Sequence, residues 1–301
     1  MNYLRLIETD FDVLKKIDEA EKNGDFSAHL DPIDYSLAEP VTADFPYIPG
    51  KWLRILYWWR NVYLLNGFTW VIAKGCFKTE IVGKENLKKV KNAVVTCNHI
   101  NKYDGLVIRY ALGKNGKKKL KIMTADFNNQ KGFLGKMMRA AGILPFSMKR
   151  ECIKKFNESV AYYLSHNTSL LIFPEGSEWW CYEKPRPLMD GAFHYAVTNN
   201  KPILPCFITF RKNGKFFDSG IEKRDFTVHI LEPIFPDENL SKKENIKIMK
   251  EKNFVAWCEC YKKWYGEEPF SKNPKSEDNF LLNLNMKFPL KEPAKIDKLK
   301  V

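Results

Sequence analysis

No stretch of the 301 residues reaches the ~18 uninterrupted apolar positions of a helical bilayer span, so a conventional span is not expected. No loop ends in the Gly-Lys-Ser/Thr of a Walker motif, and no G-x-S-x-G elbow occurs. These absences set aside P-loop chemistry and a serine hydrolase. Without H-E-x-x-H or a paired aspartate cluster, no catalytic metal is implied. Helix-turn-helix, zinc-finger and RNP patterns are missing too, which leaves nucleic acid as the weakest partner class. The seven cysteines, Cys76, Cys97, Cys152, Cys181, Cys206, Cys258 and Cys260, follow no disulfide or metal-ligand spacing and read as reduced thiols of a cytosolic protein. Glu8, Asp10 and Asp12 already lie within Met1 to Leu14, which is not the pattern of a signal sequence.

What is present is positive charge and aromatic residues. Lys+Arg number 49 against 36 Asp+Glu, a net charge of +13 that favours an anionic membrane surface or a phosphorylated substrate. The length suits one α/β domain with appendages. Residues 2–23 read as an amphipathic helix with Leu4, Ile7, Val13, Leu14 and Ile17 on its apolar stripe. Residues 24–50, with Pro32, Pro40, Pro46 and Pro49, read as an extended connector.

Residues 51–75 mix four tryptophans and three Tyr/Phe residues with Lys51, Arg54, Arg60 and Lys74. That mixture fits a helical segment lying at a membrane interface. A helix hairpin packed on the protein's own core is the alternative, and Asn66-Gly67 predicts a break into two short helices. Strands are expected at 77–84, 93–97, 120–124, 143–146, 169–173, 203–209 and 225–231, with a turn at Lys212-Asn213-Gly214-Lys215. Helices are expected at 104–112, 132–141, 151–166, 188–199 and 240–264. The lysine-rich stretch 113–119 reads as a solvated loop, and 267–301 as a loosely packed polar tail. The fold class is therefore α/β: a mixed, partly parallel sheet flanked by helices, with an aromatic-basic interfacial segment ahead of it. The implied divisions are 1–50, 51–76, 77–235 and 236–301.

Two strand exits carry the chemistry. The run Ala93–Cys97 leads into Asn98-His99, with Asp104 five positions beyond the histidine. An aspartate there can hold one imidazole nitrogen protonated and leave the other free to take a proton. The run Leu170–Phe173 leads into Pro174-Glu175-Gly176-Ser177, again a strand entering a turn.

Together these stretches resemble the glycerolipid acyltransferase family, whose best-known members acylate lysophosphatidic acid. The N-H-x-x-x-x-D block is Asn98, His99 and Asp104; the F-P-E-G-[TS] block is Phe173 to Ser177. Between them, Gly142–Phe146 leading to Arg150 is similar to the family's second block, and Pro202–Phe207 to its proline-containing strand. The resemblance covers roughly residues 77–235 and implies transfer of an acyl group from a thioester to a hydroxyl. His99 would be the general base and Asp104 its orienting acid. Arg150 would hold the acceptor's phosphate; Gly176 and Ser177 would line the substrate turn; Glu175 would either bind a glycerol hydroxyl or secure its loop. Oxyanion donors are open between the N–H groups around Gly105 or Gly176 and Lys102.

The implied co-substrate is acyl-CoA or acyl carrier protein, with no resident cofactor, and the implied acceptor is a lysophospholipid, 1-acylglycerol-3-phosphate first. The implied location is the cytoplasmic face of a membrane, peripheral or monotopic. A silent lipid-binding relative or an acyl thioesterase are the alternatives. The family's arginine after F-P-E-G-T is replaced here by Glu178, followed by Trp179 and Trp180, and Asp190 stands where a lysine is common. Both changes remove positive charge near the expected head-group site, and Lys184 or Arg186 are possible substitutes. His194, on a helix beside Tyr195, reads as a packed structural histidine, and Pro205 as a residue that ends strand pairing.

Overall fold

The structure is a computed structural model that describes residues 9–30, 35–113 and 119–270. Among the described residues, seven strands form one sheet in the order β1-β7-β6-β2-β5-β3-β4. They are β1 (Glu80–Val82), β2 (Val94–Thr96), β3 (Leu120–Ala125), β4 (Ile143–Phe146), β5 (Ser169–Ile172), β6 (Ile203–Phe216) and β7 (Glu222–Ile230). The five strands from β6 to β4 are parallel, and β7 and β1 run against them. All five parallel strands thus release their chains at one edge of the sheet, where α/β folds build their sites.

Side-chain alternation sorts the core into two layers. Val94, Leu170 and Ile203 face one way, among residues of α6 (Arg150–Ser165), α7 (Gly191–Thr198) and α8 (Lys242–Tyr265). Val95, Leu171 and Leu204 face the other way, among residues of α1 (Phe11–Lys22) and α4 (Asp104–Gly113). Trp257 and Phe254 of α8, and Val13 and Ile17 of α1, are buried in these layers, so both terminal helices are built on the same sheet. A capping box, Ser241 with Glu244, starts α8 and left-handed Gly266 ends it.

Three expectations change. The helix from Lys51 does not break at Asn66-Gly67. It runs as α2 (Lys51–Arg60) and α3 (Asn66–Trp70), with π-helical turns at Asn61–Leu65 and Val71–Cys76. A helical glycine costs only about 1 kcal/mol, and Leu65, Thr69, Ile72 and Ala73 offset it by burying one continuous face. Trp52, Leu56, Phe68 and Trp70 remain exposed on that run. No helix among the described residues is long and apolar enough to cross a membrane. Second, Lys212–Lys215 is not the hairpin turn. β6 continues through it with a register shift at left-handed Gly214, and the chain reverses at Phe217–Ile221. Third, His194 is exposed rather than packed. The predicted helix before Phe11, the lysine stretch 114–118 and the tail from 271 lie wholly or partly outside the described residues.

β7 also carries a buried histidine. His229 Nε2 lies 2.8 Å from Thr209 Oγ1, and its ring meets Trp264 edge-on. Burial, and then the charge of Lys263, push its pKa down to about 4. Its folded pKa lies below the unfolded ~6.5, so the unfolded chain binds the extra proton first. Stability should be complete above that value and fall as pH drops from there toward 4. His229→Gln should flatten this segment of the denaturation-versus-pH curve; an unchanged slope would show that His229 is not its source.

Candidate functional site

The first block sits where β2 leaves the sheet. Pairing of β2 with β6 ends at Thr96↔Pro205, where the proline offers no N–H. The Asn98 side chain then takes over. Its Oδ1 accepts from Ile208 N (2.8 Å) and its Nδ2 donates to Ile208 O (3.0 Å). A side-chain amide thus stands in for one more backbone pair and fixes the chain one residue before His99.

His99 Nδ1 lies 3.0 Å from Asp104 Oδ2, while the imidazole side chain keeps 25% of its exposure. Phe173, the residue before the second turn, stacks on the ring at 4.2 Å between centroids. Held on one side by a carboxylate and on one face by a phenyl, the ring keeps Nε2 for what lies outside. Asp104 is fully buried at the start of α4, where the helix dipole favours an anion. Its Oδ2 also accepts the N–H groups of Ile100 (2.7 Å) and Asn101 (3.0 Å). Oδ1 is buried and has no hydrogen-bond partner among the described residues. Burial accordingly raises the Asp104 pKa above the ordinary carboxylate value, opposed first by the His99 hydrogen bond. Gly105 follows, and a Cβ there would sit 2.9 Å from Ile122 Cδ1, so α4 and β3 lie close at this point.

The second turn leaves β5, the neighbour of β2. Glu175 is buried and has no spare oxygen. Oε2 accepts from His99 N (3.0 Å) and Arg186 Nη2 (2.9 Å), and Oε1 accepts from Arg186 N (2.9 Å). Of the two roles open for Glu175, its contacts are those of securing the loop. Ser177 is likewise buried, its Oγ taking a bond from Arg186 Nη1 at 2.9 Å. Gly176 is exposed with φ +80, and its N–H is already committed to Phe173 O. The main chain closes the seam: Trp179 N donates to His99 O (2.9 Å) and Cys181 N to Ile100 O (2.8 Å).

Arg186 is the residue that sequence reasoning misplaced. It does not face an outside anion; it is 1% exposed, stacked 4.7 Å over Trp179 and bonded to Glu175, Ser177 and the carbonyl of Phe26. Trp179, one of the departures from the family pattern, stacks on Phe26 and donates to Ala28 O at 3.0 Å. The connector after α1 is thereby fastened to the back of the site. Lys184 pairs with Glu21 at 2.6 Å, and Asp190 with Lys250 at 2.5 Å. A signal was available for Arg186: an arginine eleven residues after a buried-turn glutamate, with an indole between.

Arg150 is not gathered into this cluster. It is exposed at the first position of α6, beyond edge strand β4. β4 lies three strands from β2, roughly 14 Å at ordinary strand spacing.

Residues 78–209 match the family model described as acyltransferase. A protein of Schizosaccharomyces pombe, named as an uncharacterized acyltransferase, is 29% identical over 171 residues, 52% of this chain and 57% of that protein. The match thus spans little more than half of that relative's length. The crystal structure of the 1-acyl-sn-glycerophosphate (LPA) acyltransferase PlsC from Thermotoga maritima aligns over 69% of this chain and 95% of its own, at 15% identity and a TM-score of 0.44.

The buried pair gives a stability test. Arg186→Met strands a buried carboxylate and should cost about 3–5 kcal/mol, whereas Arg186→Met with Glu175→Gln should cost clearly less than the two single changes summed. Urea denaturation of the four proteins measures this, and strict additivity would mean the two side chains do not act as a pair.

Proposed function

We propose, from the match of residues 78–209 to the acyltransferase family model, that this protein moves a fatty acyl group from a thioester to the hydroxyl of a lysophospholipid, 1-acylglycerol-3-phosphate first. The observation that carries the reading is the His99–Asp104 pair, with the imidazole partly open to solvent and its ring fixed on two sides.

The thioester is already activated, so the reaction lacks only a nucleophile at the right place. His99 Nε2 takes the proton of the acceptor hydroxyl as its oxygen attacks the thioester carbonyl. The tetrahedral intermediate then collapses, the C–S bond breaks, and the thiolate leaves with the proton that His99 held. Asp104 stabilises the imidazolium between these steps and keeps Nδ1 as the donor. Glu175, Ser177 and Arg186 position the His99 peptide, and Gly176 presents the turn to the substrate. The N–H groups of Gly176, Asp104, Leu106 and Val107 are all committed, which leaves the Gly105 N–H and the Lys102 ammonium as oxyanion donors in this reading.

The donor in this reading is acyl-CoA or acyl carrier protein, and no resident cofactor takes part. Arg150 takes the acceptor's phosphate, drawn in from the β4 edge. The Asp190–Lys250 pair supports a phosphate-bearing acceptor, because one of the two acids that depart from the family pattern is paired within the chain. Exposed tryptophans on the helix from Lys51 support attachment to the cytoplasmic face of an anionic membrane.

Purified protein given acyl-CoA and vesicles containing lysophosphatidate should release free thiol and form phosphatidate. His99→Ala should cut turnover by ~10²–10⁴-fold, and Asp104→Asn should lower kcat with little change in KM. Thiol release that survives His99→Ala would remove the imidazole from the mechanism. Arg150→Ala should raise KM for lysophosphatidate about tenfold, as loss of one charge-assisted contact does, and leave an uncharged monoacylglycerol unaffected. Equal KM changes for both would take Arg150 out of phosphate binding.

A further inference from the structure

Apolar side chains are exposed in a second place, outside the tryptophan-bearing helix. Tyr35 and Leu37 lie in the connector after α1, and Phe133 and Leu134 lie in the first turn of α5 (Gly132–Ala140). Their exposures are 54%, 47%, 74% and 55%. The two segments are held together. Lys131 N donates to Leu37 O (2.8 Å), Glu39 N donates to Asn129 O (2.7 Å), and Tyr35 meets Phe127 edge-on at 5.9 Å. Gly135 lets the turn close tightly, since a Cβ there would lie 1.6 Å from Gln130 O. Phe133 and Leu134 are therefore presented outward by a fixed turn.

Charge singles out the same surface. Residues 45–79 and 127–150 contain ten of the 49 Lys+Arg and none of the 36 Asp+Glu. These two stretches hold ten of the thirteen net positive charges in 59 of 301 residues. The first contains the tryptophan-bearing helix; the second contains α5, exposed Met148 and Arg150. Asn61 Nδ2 donates to Ala140 O at 2.9 Å, so the helix touches the C-terminal end of α5, whose N-terminal end carries Phe133. The acids that bound the two stretches are Asp44, Glu80, Asp126 and Glu151, and Glu39 lies in the connector beside the turn; Asp44 and Glu80 pair with Lys155 and Arg211. The turn follows the exit of β3, two strands from β2, so it lies along the sheet edge that carries His99.

We propose that Tyr35, Leu37, Phe133 and Leu134 form a second contact with an anionic bilayer, beside the catalytic edge of the sheet. Apolar side chains enter the acyl boundary while Lys131, Lys136 and Lys149 meet lipid phosphates. Two separated contacts fix the tilt of the domain as well as its attachment. They turn the strand exits toward the lipid, so a membrane-borne hydroxyl reaches His99 without leaving the bilayer surface. This deepens the membrane attachment proposed above, and its test uses no turnover.

The full chain is mixed with vesicles of phosphatidylcholine, or of equimolar phosphatidylcholine and phosphatidylglycerol, and the bound fraction is read by flotation. Phe133→Ser with Leu134→Ser should weaken binding to the anionic vesicles by roughly tenfold or more. Tyr35→Ser with Leu37→Ser should weaken it in the same direction, and Val255→Ser, on exposed α8 surface, should leave it unchanged. Circular-dichroism melts of each variant show that the fold is kept. If Trp52→Ser weakens binding and neither double variant does, the helix attaches the protein alone and the second contact is wrong. If the double variants abolish self-association in ultracentrifugation without affecting flotation, the patch is a protein interface and the proposal fails.

Discussion

Glu175 joins two loops that leave adjacent parallel strands, and the arrangement of the site depends on that junction. Its carboxylate receives the peptide N–H of His99 from one loop and both the N–H and guanidinium of Arg186 from the other. A buried carboxylate is tolerated only where a countercharge and hydrogen bonds meet its lone pairs, and Arg186 supplies both. The arginine in turn spends its donors on Ser177 and Phe26, with the Trp179 indole stacked against its plane. The junction thus reaches from the N-terminal connector through the turn at Gly176 to the backbone of His99. Breaking it would leave a bare charge in the core as well as a loosened histidine.

The two acids near His99 divide the work by environment. Glu175 is balanced by a cation and addresses the main chain. Asp104 has no cation but the imidazole itself; it relies on two peptide N–H groups and the start of α4, and burial pushes its pKa upward. An acid balanced in that way gains most from a neighbouring imidazole when the imidazole is charged, which is the state of a base that has just taken a proton. Phe173 adds a steric limit by covering one face of the ring.

Much of this was legible in the sequence because the signals are local. Apolar runs gave the strands ending at Thr96 and Ile172, and the chemistry-bearing residues follow each within a few positions. The five-residue step from His99 to Asp104 needed only a helix start to become a contact. What was not legible depends on partners distant in sequence. Arg186 looked like a surface base because nothing nearby announced Phe26, 160 residues away. The Glu178-Trp179 stretch looked like lost positive charge, and the contacts of Trp179 show its indole to be the post that holds the connector. Asn66-Gly67 and Asn213-Gly214 are genuine turn signals, overridden by burial of Leu65 and Ile72 in the first case and by pairing with β7 in the second. Arg150 shows the limit of motif order: its block lies in sequence between the other two, while strand order carries it to the edge of the sheet.

The contact of His99 Nδ1 with Asp104 leaves Nε2 as the nitrogen to accept a proton. Nitrogen NMR of protein labelled at the histidine side chains, assigned with His99→Gln, reads the tautomer directly. In its uncharged form His99 should show a protonated Nδ1 and an unprotonated Nε2. A His99 found as the Nε2–H tautomer, or as an even mixture of the two, would contradict the account.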